Sequence, residues 1–239
     1  MLRCSPVSEP LPVVLIPGLL DSARLYAEQI PALWRSGSVM VADHTRDDSM
    51  AGIARRILAG APPRFALAGL SMGGYVAFEV LRQAPERVSR LALLDTTARP
   101  DTPEQSAARR AQIALATEGR LSEVVDASFA RLVHQARRHD AALRQVLDRM
   151  AEEVGAAAFI RQQLANIARA DSRPMLSGIR VPTLVLVGEA DELTPPDRAA
   201  EMARAIPAAR EVRVPDCGHL STLERPHEVT RALLAWLEA

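Results

Sequence analysis

Ser71 stands in Gly69-Leu70-Ser71-Met72-Gly73-Gly74, between the apolar run Phe65 to Leu70 and a helix-like run from Gly73 to Ala84. Glycines two residues either side of the serine leave room for a sharp strand-to-helix turn that a side chain would obstruct. Such a turn would hold the hydroxyl exposed above a sheet, which is the arrangement of a nucleophile elbow and points to acyl transfer. A serine hydroxyl is a weak nucleophile at neutral pH. It needs an adjacent base, and that base needs a third group to fix its tautomer and stabilise its charged form.

The chain has five histidines. His44 follows an early apolar run, His134 and His139 lie in a strand-free central stretch, and His227 opens the last helical run. His219 differs, because it lies in Pro215-Asp-Cys-Gly-His-Leu220, the loop after the last β-run, where Gly218 lets the chain bend. For the acid, Asp191 follows the fifth β-run directly, in Val187-Gly-Glu-Ala-Asp-Glu-Leu-Thr-Pro195. Carboxyl ends of parallel strands are where open α/β sheets gather their sites. The order Ser71, Asp191, His219 is the one expected of this elbow type. Asp95 also ends a β-run and competes for the role, but capping its own turn with Thr96 and Thr97 is the reading preferred for it. Glu189, Glu192 and Asp216 read as solvated loop charges. Two backbone N–H donors are also required to hold a developing oxyanion: Met72, which follows the serine, and Leu19, in the loop Pro17-Gly18-Leu19-Leu20.

The elements that must position these residues follow from the apolar pattern. Short strands are expected at Leu11–Ile16, Ser38–Ala42, Phe65–Leu70, Val88–Leu94, Val181–Val187 and, more exposed, Glu211–Val214. Helices are expected at Ser49–Leu58, after Ser71, and from Pro226 to Leu237, where proline takes a first helical position. Continuous apolar strands alternating with helices predict an α/β fold: a mostly parallel sheet flanked by helices on both faces. Residues 99–173 break the alternation. The stretch has no proline after Pro103 and repeats apolar residues at helical spacing in Leu121/Val124/Val125/Leu132, Leu143/Val146/Leu147/Met150 and Ile160/Leu164/Ile167. This predicts a helical lid inserted between strands, residues 99–173, on a core formed by 1–98 and 174–239. Helices that merely thicken one face of the sheet are the alternative.

Composition bounds the rest. The 239 residues are 48% hydrophobic and 24% charged with zero formal net charge, which suits one domain and argues against a nucleic-acid or polybasic membrane surface. All 29 basic residues are arginine, so chemistry that needs a lysine, such as a Schiff base or a Walker A phosphate site, is excluded. Cys4 and Cys217 are too few for a disulfide framework or a zinc site, and Cys217 reads as a small buried apolar side chain. No cluster has ligand spacing, so neither metal nor organic cofactor is expected. The start of the chain has no long apolar run and nothing approaches the length of a membrane span, from which a cytoplasmic protein, monomer or homodimer, is expected.

With Ile16-Pro-Gly-Leu-Leu-Asp21, the Gly-Leu-Ser-Met-Gly-Gly elbow, Gly188-Glu-Ala-Asp191 and Gly218-His219, the chain resembles the small bacterial esterase type of α/β-hydrolase from Leu11 onward. Many relatives have His-Gly where this chain has Pro17-Gly18. The resemblance implies a helical cap at 99–173 and the loss of the first two strands of larger relatives. The function expected is hydrolysis of a small-molecule carboxylic ester or thioester through an acyl-enzyme. C–C bond hydrolysis, a lyase or perhydrolase reaction on the same scaffold, and a non-catalytic ligand receptor are the alternatives. Arginines of the central helices (Arg109, Arg110, Arg131, Arg137, Arg138) form a solvated face or, alternatively, a docking surface for an acidic carrier protein.

Overall fold

The computed structural model describes residues 11–239; Cys4 and the first residues of the chain lie outside it. Six strands, β1 (Val13–Ile16), β2 (Val39–Val41), β3 (Phe65–Leu70), β4 (Val88–Leu94), β5 (Thr183–Gly188) and β6 (Ala209–Val214), form one parallel sheet in the order β2-β1-β3-β4-β5-β6. Every residue of β1, β3 and β5 is buried, as expected of parallel strands covered on both faces. Alternate residues divide between the faces. Val14, Ile16, Leu67, Leu93 and Val185 join one apolar cluster, and Val13, Leu15, Ala68, Leu94 and Leu186 join the other.

The helices are α1 (Ile30–Leu33), α2 (Met50–Gly60), α3 (Met72–Gln83), α4 (Pro103–Thr117), α5 (Leu121–Leu132), α6 (Ala141–Ile167), α7 (Pro196–Ala205), α8 (Ser221–Glu224) and α9 (Pro226–Glu238). Helices α2, α3 and α7 supply the first cluster, and α9 with Leu25, Tyr26 and Leu33 supplies the second. The chain leaves β1 for β2 on one side and returns to β3 on the other. The carboxyl ends of β1 and β3 therefore flank a topological switch point, where such sheets open a crevice. Gly18–Leu20 follows one of these ends and Ser71 the other.

One helix escapes the periodicity argument. Only Ala116 of α4 is buried, so no apolar stripe marks it, although Thr102 and Gln105 form a capping box with proline at the first turn. Helix α7 buries only Ala199, Ala200 and Met202. Helices α4, α5 and α6 lie between β4 and β5. Within α6, Gly155 has φ 75° and ψ 164°, which splits the element into two helical halves. The first half sends Leu143, Leu147 and Met150 into the cluster of β1 and β3. In the second half, the expected Ile160/Leu164/Ile167 stripe is not the buried face. Leu164 is 43% exposed, whereas Phe159, Gln162, Gln163, Ala165 and Asn166 are buried. The inward face there carries amides, which an apolar-periodicity argument cannot detect.

A β-carbon at Gly155 would meet nothing within 4 Å, so only backbone conformation separates glycine from alanine there. Gly155→Ala is expected to cost about 1–3 kcal/mol, the range for a residue held in a glycine-only region, read as a lower urea midpoint with unchanged slope.

Candidate active site

The turn after β3 is tight because two backbones meet without side chains. A β-carbon on Gly69 would lie 2.2 Å from the Gly73 carbonyl oxygen, and one on Gly73 would lie 2.1 Å from that of Ile16. Between them Ser71 is forced to φ 55° and ψ −116°. A non-glycine residue at positive φ costs on the order of 1–3 kcal/mol, and the surroundings hold it there. The Ser71 N–H donates to Leu94 O at 2.9 Å, and Thr96 Oγ1 donates to Ser71 O at 2.7 Å. Met72 is the first residue of α3, where helical N–H groups lack intrahelical acceptors and carry the positive end of the helix dipole.

Ser71, His219 and Asp191 meet in one hydrogen-bonded chain. His219 Nε2 lies 2.8 Å from Ser71 Oγ, and His219 Nδ1 lies 2.8 Å from Asp191 Oδ2. Asp191 is itself fixed: its Oδ1 accepts from the N–H groups of Leu193 (2.8 Å) and Thr194 (2.9 Å), and its Oδ2 from Thr194 Oγ1 (2.7 Å). Burial works against its charge, but His219 and these donors hold its carboxyl below the usual range. The His219 N–H donates to Leu132 O at 2.9 Å, tying its loop to the end of α5. Glu224 secures the same loop by accepting from Gly218 N and His134 N at 2.9 and 2.7 Å. With Nδ1–H directed at a carboxylate, the imidazole in its deprotonated form presents the Nε2 lone pair to the serine, as a general base requires.

The loop after β1 is clamped from both sides by residues the sequence did not single out. Leu20 has φ 63°, and the Asp21 N–H donates to Gly18 O at 3.3 Å, closing a turn with Leu19 and Leu20 at its centre. The Leu20 N–H donates to Gln162 Oε1 of α6 at 3.0 Å. On the other side His44 Nε2 donates to Gly18 O at 2.8 Å, and burial depresses the pKa of this imidazole, keeping it neutral. Leu19 itself is half-buried, beside the Gln162-held residue. The contacts of His44 and Gln162 link positions 26 and 142 residues apart, so local sequence carries no sign of them.

Asp95 does not cap its own turn with Thr96 and Thr97, contrary to the expectation from sequence. It is fully buried, with its Oδ1 accepting from Gly188 N at 2.9 Å and its Oδ2 from Ser221 Oγ. Asp95 thus joins the start of the Asp191 loop to the helix behind His219. Cys217 is buried, and burial pushes its thiol up, which leaves it an inert apolar side chain. Glu189, Glu192 and Asp216 are exposed. Most central-helix arginines are internally paired: Arg109 with Asp101, Arg137 with Asp140 and Arg138 with Glu192.

Three carboxyls surround His219 electrostatically. Burial alone would lower its pKa, but the Asp191 charge and hydrogen bond, reinforced by Asp95 and Asp21, push it up to about 9. Burial pushes Asp95 up to about 8, with the Asp191 charge adding to it, and pushes Asp21 up to about 7. Each of these groups binds its proton more tightly folded than unfolded, so folding stability falls as pH rises through the window from about 4 to about 9. Asp191 acts oppositely, and only below the ordinary carboxylate range. The melting temperature is expected to decline from pH 5 toward 9, and Asp95→Asn, which cannot ionise, is expected to flatten the decline. Equal slopes for the two proteins would show that Asp95 does not hold its proton.

A family model described as the alpha/beta hydrolase fold matches residues 40–226. The chain is 27% identical over 229 residues to the pimeloyl-(acyl-carrier protein) methyl ester esterase of Edwardsiella ictaluri, a match that covers 92% of this chain and 84% of that protein. A thermophilic esterase from Thermogutta terrifontis has a similar structure, with a TM-score of 0.87, 29% identity, and 95% of this chain and 89% of that chain covered. A hydrolase from Pseudomonas aeruginosa gives a TM-score of 0.86 at 26% identity, covering 97% and 91% of the two chains. Six parallel strands, a serine on a positive-φ turn after the third, and this match over most of its length place the chain in the α/β-hydrolase family, as a hydrolase.

Proposed function

We infer that the protein cleaves a small carboxylic ester or thioester through an acyl-enzyme on Ser71. The observation that carries this reading is the chain of two 2.8 Å contacts from Ser71 Oγ through His219 to a fully hydrogen-bonded Asp191 carboxylate. Ser71 Oγ attacks the acyl carbon while His219 Nε2 takes its proton, and Asp191 stabilises the imidazolium. The backbone N–H groups of Leu19 and Met72 receive the oxyanion, and the dipole of α3 favours charge at the same point. His219 then gives its proton to the departing alcohol or thiol. A water deprotonated by His219 releases the acid and frees Ser71. The Edwardsiella and Thermogutta esterases that the chain resembles support the ester as the bond that is cut. In this reading residues 99–173 act as the lid of the site, on a core made by 1–98 and 174–239.

Ser71→Ala is expected to reduce kcat/KM for short p-nitrophenyl esters by about 10³-fold or more, and to abolish labelling by a fluorophosphonate probe. Asp191→Asn should lower kcat by roughly 10⁴-fold with the fold intact. Wild-type turnover by Ser71→Ala, checked by near-UV dichroism for correct folding, would refute the mechanism.

A further inference from the structure

The inward face of the second half of α6 carries amides that the packing of the protein does not use. Gln162 and Asn166 are one turn apart on one face, 0% and 1% exposed, about 6 Å apart along the axis. Gln162 uses its Oε1 to hold Leu20, but its Nε2 has no hydrogen-bond partner among the described residues. Neither Nδ2 nor Oδ1 of Asn166 has one. Their neighbour Gln163 is satisfied at both ends, accepting from Arg109 at 2.7 Å and donating to Gln112 at 2.6 Å. An unpaired buried polar atom costs about 1–3 kcal/mol, so three of them on one face are a poor way to fill space.

The position of this face gives it a use. Gln162 is anchored beside Leu19, whose N–H faces the oxyanion in the mechanism above. Through Gln162 the α6 amides neighbour the loop that receives the acyl oxygen in that mechanism. The charge nearby is positive in excess, because Arg109 and Arg169 share the single buried carboxylate of Asp101. Arg169 also donates to the Asn166 carbonyl at 3.1 Å, and its guanidinium lies 4.2 Å over the Tyr75 ring.

We propose that Gln162 and Asn166 form a polar subsite that takes a second acceptor oxygen, a ketone or carboxylate, carried by the acyl group of the substrate. The inference rests on the ester-cleaving reading for the orientation of the substrate. Two amide donors and a positive surplus select an oxygen acceptor, and a site built to hydrogen-bond such a group rejects the plain alkyl analogue that leaves it unpaired.

Binding to Ser71→Ala, measured by calorimetry, tests this without turnover. The probes are methyl levulinate (neutral ketone), monomethyl succinate (carboxylate) and methyl pentanoate (alkyl). At least one oxygen-bearing ester is expected to bind about tenfold tighter than the pentanoate, and which one does reports whether charge is read. Adding Asn166→Leu should bring the oxygen-bearing and alkyl esters within about twofold of each other. Equal binding of all three probes, or a preference that survives Asn166→Leu, overturns the subsite. Asn166→Leu should also melt at or above the parent temperature, since it removes two unpaired polar atoms; a marked fall would place the amide in a closed structural network and overturn the proposal. Failure of Ser71 to form an acyl-enzyme would show in the labelling and activity measurements and not in this binding preference, so the two readings fail separately.

Discussion

Everything at this site depends on how closely three stretches of backbone approach one another. The start of α3 lies against the ends of β1 and β3 with carbonyl oxygens where β-carbons would be, at 2.1 and 2.2 Å from the ideal positions on Gly73 and Gly69. Close-packed backbone cannot yield as a flexible side chain can, so the turn has one conformation and Ser71 has one place to be. The same contact brings the loop after β1 next to the serine. The Ser71 hydroxyl and the loop after β1 are thus positioned by a single steric constraint.

The remaining parts are held by hydrogen bonds between segments far apart in the chain. Asp95 joins Gly188 to Ser221, Glu224 joins Gly218 to His134, and Gln162 joins the loop after β1 to α6. Two of these three bridges are carboxyls in low-dielectric surroundings, where a satisfied network is rigid and an unsatisfied one is expensive. Concentrating acids around one imidazole raises its affinity for protons, which stabilises its charged form. It also makes the folded state itself sensitive to alkaline pH.

Strands β1, β3 and β5 were readable because each is a continuous apolar run that ends in a turn, and their buried faces leave no ambiguity about a parallel sheet, whereas β6 (Ala209–Val214) carries charges and is more exposed. That Ser71, Asp191 and His219 meet was readable because the carboxyl ends of such strands converge, so a serine turn implies where nearby loop residues gather. Other features have no local signature. Asp95 stands where a turn cap is expected, and only the fold reveals that its partners are Gly188 and Ser221. Helix α4 buries too few apolar residues to show a stripe. The inward face of α6 beyond Gly155 was misread because periodicity searches for apolar residues and that face carries glutamine and asparagine. Its role depends on contact with a loop 142 residues away.

Gly155 also separates α6 into parts with different dependencies. The first half is a structural member of the main apolar core, through Leu143, Leu147 and Met150. The second half, about a dozen residues, touches the loop after β1 and carries the amides. Because the break is a single backbone rotation with no neighbour within 4 Å of a prospective β-carbon, it is a natural recombination point. Segments 156–167 from related hydrolases could be spliced in behind it provided that Phe159 and Ala165, which pack into the apolar clusters, are kept, making this short helix an exchangeable cassette on a constant frame.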